Sequence, residues 1–282
     1  MSNYENDNWM AATPAIDSLS LCELTLPGTH NAGCDNEASY ALIPGANLVA
    51  CQDVPFYAQL NRGARALDVR LIYDANAAGL GKFRFQHSGY LSSRTLEDLV
   101  SNIKAFLDSS YNEFIILDFH ELKHGKEAFD FKYFNDMMLK HLGDRIIPTE
   151  NRNLSLGQLK KISPLQRVLV AAPHHYNLDF KWFCRQIEHK WIDETIVSAK
   201  SLRNYINEVL NSPPGNGSPW SLSTTCYMVG PTRILNEIDE WFDPAKSDWA
   251  EKCNIINFDF IKNSNIVSHC RMANLKKASQ KI

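Results

Sequence analysis

The chain has 282 residues, 44% of them hydrophobic and 22% charged, with a net charge of −3. That balance suits a globular protein with its own core, and a single (β/α)8 barrel commonly needs about 250 residues. There is no basic block, arginine-rich tail or aromatic–basic interleaving, so a nucleic-acid partner is not expected, and no obligate protein partner is evident.

In chain order, residues 1–17 (MSNYENDNWMAATPAID) are polar and acidic and lack the apolar core of a Sec signal peptide. Short apolar runs then alternate with segments of helical period. Strands are predicted at 22–26, 65–71, 83–87, 113–119, 167–172, 195–199, 225–230 and 254–260. Helices are predicted at 94–109, 126–142, 154–162 and 200–210, where apolar residues recur every three or four positions. About eight strands with interposed helices predict an α/β fold, a single distorted (β/α)8 barrel. A doubly wound open sheet is the alternative, but PGTHNAG lacks the GxGxxG spacing expected after its first strand. No linker-like shift divides the chain, so residues 1–282 read as one catalytic barrel domain. The seven cysteines are widely spaced without a Cys-x-x-Cys pair, which predicts buried free thiols rather than a disulfide framework. No run reaches the roughly 18 apolar residues of a membrane span. The expectation is a cytoplasmic protein, or one exported by a non-Sec route, that acts at membrane surfaces.

Three stretches carry the chemistry: LPGTHNAG at 26–33, GARALDVRL at 63–71 and FQHSG at 85–89. They place His30 and His87 on either side of Asp68 and Arg70. His30, Arg70, His87 and Asp259 each fall at or just past the carboxyl end of a predicted strand, where a barrel gathers its active site. Histidine can act as base or acid near neutral pH. Arginine stays charged and offers a planar fork to phosphate oxygens. Two histidines, a guanidinium and a positioning carboxylate suffice to cleave a phosphodiester by internal attack. The bland alternatives are a turn histidine at His30, a packed histidine at His87 and structural ion pairs at Asp68 and Asp259.

These motifs resemble the X-domain barrel of phosphatidylinositol-specific phospholipase C. LPGTHNAG is similar to that family's first-strand motif, QLNRGARALDVRL to its second-strand pattern, and FQHSGYL to its His-Gly segment. NEFIILDFHEL and CNIINFDFI resemble later strands. The resemblance runs from about residue 20 to 261, leaving 1–18 and 272–282 as peripheral tails. It implies internal attack by the inositol 2-hydroxyl, giving a cyclic 1,2-phosphate and diacylglycerol from phosphatidylinositol or a glycosylated form of it. His30 would be the general base, His87 the general acid, Arg70 the phosphate-stabilising group and Asp259 the residue orienting His30.

Asn31 and Asp68 match calcium-binding positions of the eukaryotic enzymes, but Arg70 stands where their second acid would be. No cofactor is therefore expected, and calcium, held through Asn31 and Asp68, is the alternative. His120 stands near the calcium-type glutamate or the bacterial lysine. Asn31, His120, His174 and Trp191 are candidate substrate contacts. For His174 a surface loop, and for Trp191 a core position, is the competing reading. Segments 38–50 and 211–223, the latter with Trp220, are candidate membrane-facing loops on the active-site rim. Rival functions are another barrel phosphodiesterase, or an X domain that binds phosphoinositide lipid without turnover.

Overall fold

The computed structural model describes residues 5–41 and 46–281. The strands are β1 (Leu26–Thr29), β2 (Ala66–Tyr73), β3 (Phe83–His87), β4 (Tyr90–Thr95), β5 (Ile115–Lys123), β6 (Val168–Ala172), β7 (Phe183–Arg185), β8 (Glu188–Lys190), β9 (Trp220–Ser223), β10 (Cys226–Tyr227), β11 (Pro231–Thr232) and β12 (Ile255–Phe258). The helices are α1 (Phe56–Asn61), α2 (Leu96–Ser109), α3 (Phe131–Leu142), α4 (Leu156–Ile162), α5 (Ala199–Asn211), α6 (Leu235–Trp241), α7 (Trp249–Lys252) and α8 (Ile266–Gln280). Eight parallel strands form a curled path in the order β7-β6-β5-β2-β1-β12-β9-β8. Its two ends, β7 and β8, are separated in the chain only by Gln186 and Ile187. One short run of backbone therefore bonds β6 with its first part and β9 with its second, curling the sheet into a distorted barrel.

The two-residue period of the strands sorts their side chains. Leu67, Val69 and Leu71 of β2 and Ile115, Leu117 and Phe119 of β5 share a buried cluster with Leu99, Ile103 and Phe106 of α2. The intervening Ala66 and Ile116 join Leu26, Leu169 and Ile255 in a second cluster, capped by Trp9, Leu21 and Leu24. The same register that points Ala66 and Ile116 into the barrel carries Asp68 and Asp118 there one step further along, and a register shift between Val69 and Arg70 then sets Arg70 opposite Glu121, with His120 at the irregularity. The interior is thus apolar toward the amino ends of the strands and polar toward their carboxyl ends. Gly28 permits the close approach of β1 to β12, since a Cβ there would lie 2.6 Å from Ile255 Cγ2.

Several sequence expectations shift. β1 begins at Leu26 rather than at 22, because residues 21–24 form a turn whose carbonyls, Leu21 and Leu24, accept from Asn254 Nδ2. Residues 83–87 form β3, which runs antiparallel to β2 and pairs with β4 outside the barrel path. Residues 195–199 are not a strand. Only Val197 makes a bridge, to Tyr227, and Ser198 caps α5 through a capping box with Ser201. Residues 225–230 shrink to β10 of a two-stranded ribbon, and the barrel position belongs to β9. Proline, glycine and alternating serines disguise β9 as loop. As a result, residues 211–219 lie before the amino end of a barrel strand, away from the rim expected for them, and Trp220 is buried. In the other proposed loop, residues 42–45 lie outside the described residues, while Val49 and Ala50 are buried.

The ends of the chain are not peripheral. Arg65 and Glu113, both without exposure, pair at 2.6 Å. Glu113 accepts from the Met10 and Ala11 N–H groups, and Arg65 donates to the Asn6 and Asp7 carbonyls. Trp9, Met10 and Ile16 are fully buried. At the other end, Asn274 of α8 accepts from Thr25 N–H at 2.6 Å and donates to Thr25 carbonyl at 2.8 Å. All seven cysteines are free and buried. Among the described residues, no helix is long and apolar enough to cross a membrane.

Candidate active site

Where β1 ends, the His30 N–H still donates to Phe258 carbonyl of β12. Asn31 then turns the chain at φ 44°, a left-handed conformation that asparagine tolerates. The turn swings His30 toward Asp259, the residue after β12, and His30 Nδ1 meets Asp259 Oδ1 at 2.8 Å. A carboxylate facing Nδ1 makes that nitrogen the donor and leaves Nε2 as the basic one. Burial pushes the Asp259 carboxyl up, against the opposing pull of His30. Gln52 clamps the junction: its Nε2 donates to the carbonyls of His30 and Phe258, both at 3.0 Å.

His87 closes β3 before a tight turn through Ser88 (φ 51°) and Gly89 (φ 88°). Its ring lies 5.9 Å from that of His30, centroid to centroid, and nearly perpendicular to it. Nδ1 is 2.8 Å from Val49 carbonyl. A carbonyl can only accept, so Nδ1 carries the proton and Nε2 is the second working nitrogen. Burial, with the His30 charge beside it, pushes His87 down to about 4. Cys51 Sγ is 3.5 Å from Nδ1, and burial holds its thiol well above the ordinary range.

Asp68 and Arg70 share the inward face of β2. Arg70 Nη2 donates to Asp68 Oδ2 at 2.8 Å and Nε to Oδ1 at 3.1 Å. Burial alone would raise the Asp68 carboxyl, but the guanidinium outweighs it and holds Asp68 well below the usual carboxylate range. Asp68 raises Arg70 in return. The Asn31 N–H and Asn257 Nδ2 also donate to Asp68 Oδ2, each at 3.3 Å. Arg70 Nη1 lies 3.8 Å from Glu121 Oε1 and is otherwise uncommitted to protein acceptors.

Calcium does not fit this donor set. Asn31 Oδ1 is a buried oxygen without a partner, but Asp68 is engaged by a guanidinium that repels a cation, and Glu121 is taken by Lys123 at 2.7 Å. A cation that wants six to eight oxygens finds too few free ones. The structure thus brings His30, Asp68, Arg70, His87 and Asp259 together. Asn31 is fully buried and supports the turn, with Nδ2 donating to Gln86 carbonyl and Oδ1 left without a partner. His120 lies inside the barrel, stacked on His189 at 3.7 Å. His174 is elsewhere. It is exposed, stacks on Phe180 at 4.7 Å and lines a groove of about 800 Å³ beside β7, with Arg152 and Arg185. Trp191 is 56% exposed on the loop after β8, not in the core.

Sequence reading misses Gln52, Asp118 and His189. Gln52 is a lone polar group ending the run LVAC, and Asp118 lies two residues before His120 on one strand face, so both left a signal. His189 sits on a three-residue strand that has no periodicity to read.

No family model matches the chain. Among solved structures, the phosphatidylinositol-specific phospholipase C of Listeria monocytogenes superimposes with a TM-score of 0.73 at 17% identity, covering 96% of this chain and 99% of that one. The Staphylococcus aureus phosphatidylinositol-specific phospholipase C gives 0.71 at 14%, covering 95% and 97%. The fold is therefore that of these bacterial barrels. Among curated proteins, a variant-surface-glycoprotein phospholipase C of Trypanosoma cruzi is 36% identical over 112 residues, 37% of this chain. The matched stretch spans 27% of that relative's length.

Proposed function

We propose that the chain is a phospholipase C that cleaves phosphatidylinositol, or a glycosylated form of it, by internal attack of the inositol 2-hydroxyl. The observation that carries this reading is the pair of perpendicular imidazoles, His30 and His87, 5.9 Å apart beside Arg70 at the carboxyl end of the barrel. His30 Nε2 takes the 2-hydroxyl proton, and Asp259 steadies the imidazolium that results. The freed oxygen attacks the neighbouring phosphorus while the bond from phosphorus to the diacylglycerol oxygen breaks. His87 Nε2 returns a proton to that oxygen. Asp68 occupies Arg70 Nε and Nη2, which fixes the guanidinium and leaves Nη1 for the phosphate. Attack from within the substrate replaces a separately bound nucleophile, and well-oriented groups reach effective molarities of about 10⁵–10⁸ M. No step needs a metal-generated hydroxide. The local likeness to a variant-surface-glycoprotein phospholipase C keeps glycosylated lipid in the substrate class.

The substrate would be met at a membrane surface. Tyr90, Tyr176, Trp191, Ile196, Met228 and Val229 are exposed on segments that follow the carboxyl ends of β3, β6, β8 and β9. They ring the side on which the histidines open.

Phosphorus NMR on phosphatidylinositol vesicles, with and without chelator, tests the reading. The expected result is a cyclic phosphate product in both conditions, with no cleavage of phosphatidylcholine. Cleavage of a 2-O-methylated lipid to a straight phosphomonoester would overturn internal attack. Activity that vanishes with chelator and returns with calcium would put Asn31 and Asp68 in a metal shell.

A further inference from the structure

A second polar cluster lies in the barrel interior at the level of Asp68 and is assigned no step in the proposed chemistry. Asp118 lies on the inward face of β5, His120 follows at the point where β5 shifts register, and His189 of β8 meets both. His189 Nε2 is bonded to Asp118 Oδ2, and the His120 ring stacks on that of His189 at 3.7 Å and 19°. One ligating atom from each of the three residues lies within 4.8 Å of the other two.

Two atoms of this cluster are unmatched. Asp118 Oδ1 and His120 Nδ1 are buried and have no hydrogen-bond partner, and Asp118 as a whole is 3% exposed. A buried acceptor left unpaired costs about 1–3 kcal/mol. Asp118 is the register partner of Asp68 on the neighbouring strand, so two carboxylates face one interior, where Arg70 serves Asp68 and Glu121 and the facing partner of Asp118 is His189. A divalent cation at the cluster would satisfy both orphaned atoms and the second carboxylate together.

We propose that Asp118, His120 and His189 form a binding site for a divalent transition metal, with zinc the best fit. Two imidazoles and one carboxylate suit zinc, cobalt or iron and are a poor set for calcium or magnesium. Zinc bonds nitrogen at about 2.0–2.1 Å, which places tetrahedral ligands roughly 3.4 Å apart. The set closes by rotation of His120, whose Nδ1 has no hydrogen bond to give up. The backbone at that point is already fixed, because Gln186 Nε2 donates to His120 carbonyl at 2.8 Å. Three protein ligands leave the fourth position open to water. The site is independent of the phospholipase reading and would stand if that reading failed.

Cobalt reports on such a site. The protein is stripped with chelator and titrated with Co²⁺, followed by visible absorption. The expected result is one equivalent bound, with the intense d–d bands of a four- or five-coordinate site, which Zn²⁺ then displaces. A rival cluster exists at His30, Cys51 and Asp259. It contains sulfur, so cobalt bound there would add a thiolate-to-cobalt charge-transfer band, and that band would overturn the assignment. His120→Ala should weaken cobalt binding at least tenfold while circular dichroism stays unchanged, and His174→Ala should bind as the parent does. If His120→Ala fails to fold, His120→Gln takes its place. No stoichiometric binding at micromolar cobalt, or equal binding by the parent and the His120 variant, also overturns the proposal.

Discussion

His87 is held by opposing requirements. Burial and the neighbouring His30 keep it near 4 in the free protein, yet the proposed acid must carry a proton when the leaving oxygen departs. An anionic phosphodiester beside the ring favours the imidazolium and raises its pKa. Because kcat/KM reports the free protein and kcat the complex, the basic limb of the kcat profile is expected at higher pH than that of kcat/KM. Coincident limbs would remove His87 from the acid role. Replacing either His30 or His87 with alanine should lower turnover by about 10²–10⁴ without loss of fold, as removal of a positioned acid or base does. A variant that keeps a tenth of the activity would exclude that residue. These side chains were readable in the sequence because each chemical group stands at the end of an apolar run, where the backbone leaves the sheet. The placement of Asn31 is not legible for a physical reason: the left-handed turn after His30 folds the asparagine amide inward, onto Gln86.

At the scale of elements, the site depends on how closely β3 packs against the turn after β1. Gly33 lies against Phe85, and a Cβ at that position would fall 2.0 Å from the ring. Phe85 is fully buried and cannot retreat. Gly33→Ala should therefore cost about 1–3 kcal/mol, the usual penalty of overpacking. β3 also carries His87, so turnover should drop along with stability. Gly215→Ala, with nothing within 4 Å of its Cβ, is the control for denaturant melts and rates. Equal melts for the two variants would show that the close approach is dispensable. The long elements were legible because periodicity needs length to show itself: β5 and α2 run for nine and fourteen residues. β7 and β8 have three residues each and β9 reads as a proline-glycine loop running into serines, so neither the barrel's closing seam nor its β9 position could be read. α8 was missed for a different reason. Its large buried apolar residues, Ile266 and Val267, are confined to the first turn, the buried positions that follow are small or polar, Cys270, Ala273, Asn274 and Ala278, and Asn274 ties the helix to Thr25.

For the whole molecule, the two ends of the barrel are unlike. The amino end is sealed by residues 9–24, anchored on the buried Arg65–Glu113 pair, and offers no way in. The carboxyl end holds the ionisable groups and is bordered by exposed apolar side chains, among them Trp191 at 56% and Val229 at 83% exposure. Scattered exposed apolar residues are normal on any surface, and several of them near one opening support the proposal that this side meets the membrane. Apolar surface gains about 25 cal/mol per Å² on leaving water, so a buried tryptophan or valine contributes on the order of 1–3 kcal/mol to membrane association. The combined Trp191→Ala, Val229→Asp variant should bind phosphatidylinositol vesicles about 10–100 times more weakly, since 1.4 kcal/mol is a factor of ten. By the reverse geometry of the proposed step, with water in place of the diacylglycerol oxygen, the same histidines should hydrolyse soluble inositol 1,2-cyclic phosphate without an interface, and that rate should be unchanged. Vesicle sedimentation and a soluble-substrate assay on one preparation separate the two effects. Parallel loss in both assays would mean that the rim supports the site itself, and unchanged vesicle binding would mean that the membrane meets another face.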